Sequence, residues 1–164
     1  HPAAIPPPTP RPAAQPPIDT DDDHEQSLEA AWSRAKEAAD REEWDQALAY
    51  LTQVETAHTF RPEFHYLHGL VHMAAENIDK ALWAWRQALY CDPMFALAHY
   101  SLGELYEQRG ERKTAVRHWR QAMAAIAKLE PEQRLLFSED LTVEMLRGLL
   151  TYRVNALLGG EERE

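Results

Sequence analysis

The chain has a single cysteine, Cys91, in 164 residues. An internal disulfide framework is therefore excluded. A lone thiol among small and apolar neighbours fits packing in a reducing, cytoplasmic compartment. No apolar run approaches the roughly 20 residues that span a bilayer, so membrane insertion is not expected. Cationic side chains are scarce: 17 Lys and Arg against 27 Asp and Glu, a net charge of −10. Nucleic acid and anionic membrane surfaces both call for a basic face, which excludes them as partners. Glycine is sparse at six residues. None forms a Gly-rich loop after a strand, and no strand pattern is present, so the chain carries no nucleotide or other cofactor site of its own. The serines (Ser27, Ser33, Ser101, Ser138) fall in helices or caps and suggest no Ser-His-Asp arrangement. No catalytic residue is indicated.

Proline is present in quantity, but in one place. "HPAAIPPPTPRPAAQPP" holds all but Pro62, Pro93 and Pro131 of the 11 prolines. Such a stretch buries little and favours extended polyproline conformations. Residues 1–23 are read as a disordered linker. "PPPTPRP" leaves a rival reading open, a proline-motif ligand for a partner. The chain opens on His1, so a fragment of a longer protein is expected.

The strongest signal is a word that returns. "WRQAL" fills residues 85–89 and "WRQAM" residues 119–123, 34 positions later. Other residues keep that phase. Gly69 falls on Gly103, Tyr66 on Tyr100, and Ala81 on both Ala47 and Ala115. A fixed period of about 34 is that of helix–turn–helix repeat units. Three units follow, at about 28–61, 62–95 and 96–129. Apolar spacing predicts helices over 25–40, 44–57, 62–75, 78–90, 95–108 and 113–129. Pro62 suits a first helical position, and Pro93 closes the fourth helix. Gly110 is expected to cap its helix in the left-handed conformation, with Asn77 as the second unit's substitute. The first unit has "DREE" at that turn, a weaker match.

Small residues recur where helices should cross: Ala35, Gly69 and Gly103 on first helices, Ala47, Ala81 and Ala115 on second helices. Leu51, Trp85 and Trp119 are expected to fill the space between units. A stacked array leaves its last face uncovered. A capping helix over 141–158 would cover it, with a stripe of Leu141, Met145, Leu149 and Leu150, an N-cap at Asp140 and a stop at Gly159–Gly160. Residues 159–164 form a tail. "PEQRLLF" suggests a short extra helical turn before that helix.

These residues resemble the tetratricopeptide repeat family over roughly 28–127. The resemblance implies an all-α fold, three helix–turn–helix units in a right-handed superhelical array plus the capping helix, together a domain over 24–158. The third unit departs at Pro131, four residues later than the family's proline, which predicts a longer sixth helix. A narrower resemblance covers mainly 88–147. "ALYCDPMFALAHYSLG", "RHWRQAM" and the S-x-D-L-T entry to the last helix are similar to the repeat module that follows the catalytic domain in CheR-type bacterial chemoreceptor methyltransferases. It implies a parent enzyme that moves a methyl group from S-adenosylmethionine to receptor glutamates, with this domain as its regulatory module. The implied partner is a protein or peptide, a chemoreceptor or the parent's own catalytic domain. The alternative is a stand-alone assembly scaffold of a periplasmic or secretion machinery.

In the family's superhelix the first helix of each unit lines the concave face. Residues sharing that face are Trp32, Tyr66 and Tyr100, then Lys36, Leu70 and Glu104, then Ala39, Met73 and Glu107. The expected site is an aromatic ladder, Trp32, Tyr66 and Tyr100, flanked by Lys36, Leu70, Met73, Glu104 and Glu107. Its acids predict a basic, apolar ligand segment rather than a C-terminal carboxylate. A competing reading packs the rings sideways against neighbouring units. Trp83 falls on an outer face beside the equivalents Ala49 and Arg117. His65, His68 and His72 share one helix. His68 and His72 at i, i+4 could chelate zinc. All three hold positions of core residues in the repeat, and packing is the favoured reading, so no metal is assigned.

Overall fold

The structure is a computed structural model in which residues 2–14, 21–135 and 141–161 are described. Seven helices follow in order: α1 (Asp21–Asp40), α2 (Trp44–His58), α3 (Pro62–Ala74), α4 (Ile78–Cys91), α5 (Ala96–Gln108), α6 (Arg112–Ile126) and α7 (Val143–Glu161). α1 with α2, α3 with α4 and α5 with α6 make the three units. α2 also meets α3, α4 meets α5 and α6 meets α7, so the stack runs on into the last helix. The described fold is all-α, its one β feature an isolated bridge between Arg134 and Thr142.

The period is written into the backbone. Glu42, Glu76 and Gly110, each 34 residues apart, take positive φ values of 58°, 60° and 79°. In each turn two amides reach back to the preceding helix. Glu43 N–H donates to Ala38 O and Glu42 N–H to Ala39 O; Asn77 to His72 O and Glu76 to Met73 O; Glu111 to Tyr106 O and Gly110 to Glu107 O. This is the Schellman arrangement, which satisfies carbonyls the helix end leaves orphaned. In the second unit the left-handed residue is Glu76, and Asn77 instead has φ −86° at the start of α4. The geometry is imposed by the stack even where a side chain disfavours it.

Gly69 and Gly103 are there for tryptophan. A Cβ on Gly69 would stand 2.2 Å from Trp85 Nε1, and one on Gly103 2.2 Å from Trp119 Nε1. Each indole lies on the glycine of its own unit. Its N–H donates to the carbonyl three residues earlier: Trp85 to Tyr66 O at 3.2 Å and Trp119 to Tyr100 O at 3.3 Å. The expectation that these rings fill the space between units is thus corrected. The missing Cβ makes a seat for an indole inside the unit. Ala47, Ala81 and Ala115 are fully buried at the crossings. Burial of one large aromatic removes roughly 150–250 Å² from water, about 4–6 kcal/mol as an upper figure.

The ends depart most from expectation. α1 begins at Asp21, inside the stretch read as linker, with Asp21, Asp22 and Asp23 in its first turn. Those carboxylates complement the helix's positive N-terminal end. α6 ends at Ile126 rather than running on to Leu129. Of the stretch expected to make an extra helical turn, residues 131–133 form a turn while 136–137 lie outside the described residues, and Leu135 N–H donates to Leu141 O across the bridge. The expected N-cap Asp140 lies outside the described residues. Thr142 caps α7, accepting the Met145 amide on its hydroxyl at 3.3 Å. α7 continues through Gly159 and Gly160 to Glu161. Its buried stripe is Val143, Leu146, Leu150 and Val154. Of the expected stripe, Leu150 is buried and Leu141 partly so, whereas Met145 and Leu149 are exposed.

Candidate functional site: the concave face

The first helices α1, α3 and α5 present the sequence-selected residues, and burial divides them. Trp32 and Tyr66 are buried, at 6% and 8% exposure. The Trp32 ring meets His58 edge-on, with centroids 5.1 Å apart, and Tyr66 packs on Phe95, the residue before α5, at 5.6 Å. Burial pushes the Tyr66 hydroxyl up to about 12, opposed by its hydrogen bond to Ser101 and reinforced by nearby Glu104. Tyr66 thus packs sideways against α5 of the next unit, whereas the Trp32 ring contact lies within its own unit. Lys36, Leu70, Met73, Tyr100, Glu104 and Glu107 remain half-buried. Leu70 packs against both clusters of the core, so its exposed edge sits over the junction of units.

The half-buried residues gather at two ends. At the first, Trp32 and Lys36 line an open hollow of about 400 Å³ with Arg61 and Glu63. The Lys36 ammonium lies 5.8 Å from the Trp32 ring centroid, within cation–π range. Arg61 pairs with Glu29 at 3.3 Å. At the second end, Tyr100 O–H donates to Glu104 at 2.8 Å. Arg153 of α7 reaches Glu104 at 2.7 Å and Glu107 at 3.4 Å, and its guanidinium lies 6.0 Å from the Trp119 ring. One guanidinium thus answers two carboxylates. The acidic end, read as open to a ligand cation, is half-neutralised from within. Sequence reasoning missed Arg153 because α7 stands outside the 34-residue period. Its signal was an arginine on the helix next in the stack.

The histidines contact backbone carbonyls and one another. His65 Nε2 lies 2.7 Å from Thr59 O, and His99, its equivalent one unit on, lies 2.8 Å from Pro93 O. The same ring-to-carbonyl bond therefore repeats with the period. His68 and His72 face each other with centroids 4.5 Å apart, and burial lowers the pKa of both. Among the described residues, no three His, Cys, Asp or Glu side chains converge on a point where a metal could sit. A second pair, not singled out from sequence, joins α5 to α6. His99 Nδ1 lies 3.1 Å from His118 Nδ1, and Tyr106 stacks on His118. Burial, then His99, Arg117 and Arg86, pull His118 down to about 4.

Trp83 is 63% exposed on the outside of α4, as its position implied. Cys91 is half-buried and its thiol is pushed up by burial and by Glu63, which lowers its thiolate fraction. No described helix is long and apolar enough to cross a membrane.

Comparison with known proteins supports the architecture. The family model described as "TPR repeat" matches residues 69–110. No curated protein matches the chain by sequence. Among solved structures, the type III secretion translocator chaperone SycD of Yersinia enterocolitica superposes with a TM-score of 0.70 at 18% identity, covering 84% of this chain and 96% of that one. PcrH, in complex with the chaperone binding region of PopD, gives 0.68 at 15% identity, covering 84% and 95%. MamA of Desulfovibrio magneticus RS-1 gives 0.57 at 22% identity, covering 66% and 62%. At such identities the likeness is one of fold, and the methyltransferase module suggested by residues 88–147 finds no support in it. The family model matches the centre of the chain and the 34-residue period runs through its backbone, so the chain has a tetratricopeptide-repeat-like all-α fold of three helix pairs and a terminal helix.

Proposed function

We propose that the domain is a non-catalytic scaffold that captures a segment of a partner protein on its concave face. The observation that carries this reading is the division by burial. Trp32 and Tyr66 hold the stack, while Leu70, Met73 and Tyr100 keep part of their apolar surface open between two charged ends. A groove with an apolar floor and ionic ends suits a segment with apolar side chains at its centre and a basic residue beside them. The second carboxylate of the Glu104–Glu107 pair is the natural acceptor for that cation. PcrH, similar in fold, was solved with a region of PopD bound, which supports a chaperone-like or assembly role and favours the scaffold reading over a methyltransferase module. Recruitment of a receptor for a parent enzyme is the second reading, and it rests on the resemblance of residues 88–147 alone.

A library of immobilised peptides, sorted by charge and apolar content, tests the groove directly. Peptides that are apolar and basic should bind, and Leu70→Glu with Met73→Glu should cost at least tenfold in affinity while far-UV circular dichroism stays unchanged. Binding that survives both substitutions would place the site elsewhere.

A further inference from the structure

α7 carries two apolar stripes. Val143, Leu146, Leu150 and Val154 are buried against the stack. Met145, Gly148, Leu149, Tyr152 and Ala156 recur at i, i+3, i+4, i+7 and i+11, which places them on one face. That face is open. Met145 is 53%, Leu149 43% and Tyr152 72% exposed, and a Cβ at Gly148 would meet nothing within 4 Å. Beside it runs a shallow groove of about 730 Å³, lined by Glu144, Arg147, Gly148, Thr151, Tyr152, Asn155 and Ala156. A helix that is apolar on two sides is built to lie between two partners.

We infer that the second partner is the same helix of a second copy, in an antiparallel two-fold pair centred between Leu150 and Thr151. The stripe is complementary to itself about that point. Met145 of one copy meets Ala156 of the other, a large residue over a small one. Leu149 meets Tyr152. Gly148 lets the backbones approach on the side of the groove. The stripe itself is uncharged, and its flanks favour this direction. Antiparallel pairing holds the two Glu144 side chains roughly 20 Å apart and the two Arg147 side chains roughly 10 Å apart along the axis, at 1.5 Å per residue. Parallel pairing would set each beside its own copy. Arg153 is already engaged by Glu104 and Glu107 and adds no free charge to the seam. An interface in which the same patch serves both subunits closes as a dimer and cannot grow into a filament.

Sedimentation velocity on the full chain reads this out. Over about 1 to 300 µM, the range for a small interface, the weight-average mass should climb from 18.8 kDa towards twice that value. Leu149→Glu with Tyr152→Glu should hold it at the monomer mass with helicity unchanged, since both side chains are exposed. A wild-type chain that stays monomeric overturns the proposal, and so does a double variant that dimerises like wild type. For direction, Leu149→Cys and Tyr152→Cys chains are made in a Cys91→Ser background. Mixing them should give cross-linked dimers faster than either chain alone. Faster cross-linking within either single variant rules out the antiparallel seam.

Discussion

α5 and α7 are the same helix used in two ways. A shift of 45 residues lays Ala98, Ser101 and Leu105 on Val143, Leu146 and Leu150, and all six are buried. The same shift lays Gly103 on Gly148. Next to these glycines the helices part company. α5 presents His99, Leu102 and Tyr106, all buried under α6. α7 has Glu144, Arg147 and Thr151 at those places, in solvent or half so. Arg147 turns back to donate to Ile126 O, a carbonyl near the end of α6. The glycine seat was kept while its surroundings became polar. α7 therefore keeps the glycine of α5 without the apolar neighbours that lie beside it there.

The largest expected effect tests the covered seat. Trp119 is fully buried on Gly103. Trp119→Ala should cost about 3–5 kcal/mol, from lost burial and the cavity left behind. Urea unfolding measures it, and a loss under 1 kcal/mol would show the seat to be dispensable. Gly103→Ala attacks the same contact from the other side. The added Cβ would lie 2.2 Å from Trp119 Nε1 and 2.4 Å from its Cδ1, so the ring must move. Overpacking of this kind costs about 1–3 kcal/mol, more than any gain in helix propensity returns.

Acid sharpens the contrast, because the covered face of α5 holds the histidine pair. His118 faces His99, Arg86 and Arg117 and stacks on Tyr106, while Asp92 lies near His99. Arg86 in turn donates to the Tyr106 hydroxyl. In the unfolded chain His118 titrates near 6.5; in the folded protein burial and its cationic neighbours hold it near 4. Between those values the unfolded state binds more protons. Stability is therefore full above pH 6.5 and falls as pH drops towards 4. His99 shifts in the same direction. Thermal melts from pH 7 to 4 should show a falling Tm, and His118→Gln should flatten that slope. An unaltered slope would assign the acid response to His58, His68 or His72.

What the residues disclose in advance follows from the period. Wherever a position recurs at 34, its element was legible: the six repeat helices begin and end within a few residues of their expected bounds, and the turn at Gly110 was visible by its glycine. Legibility failed where physics couples residues that no repeat compares. The indole seats look like helix crossings in the sequence, because a small residue reads the same whether it admits a backbone or a ring. Glu42 and Glu76 hide their turns, since glutamate gives no sign of positive φ. Among the candidate residues, Leu70 and Met73 are half-buried, but the burial of Trp32 and Tyr66 depends on rings from the adjoining helices. On α7 the expected stripe mixed the two real ones, because a helix with two apolar faces has no single best phase.

The smallest expected effect has the opposite sign and isolates what the third glycine position, on α7, lacks. Gly148 lies inside α7 with nothing within 4 Å of a built Cβ. Glycine in a helix interior is less stable than alanine by about 0.5–1 kcal/mol, through backbone entropy alone. Gly148→Ala should therefore raise the midpoint of urea unfolding, where Gly103→Ala lowers it. The same substitution at equivalent positions would then differ in sign because one glycine carries an indole and the other carries none. Equal destabilisation at both would mean that something already occupies the seat on α7, and repeating the measurement at a concentration far below self-association would show whether that something is a second copy.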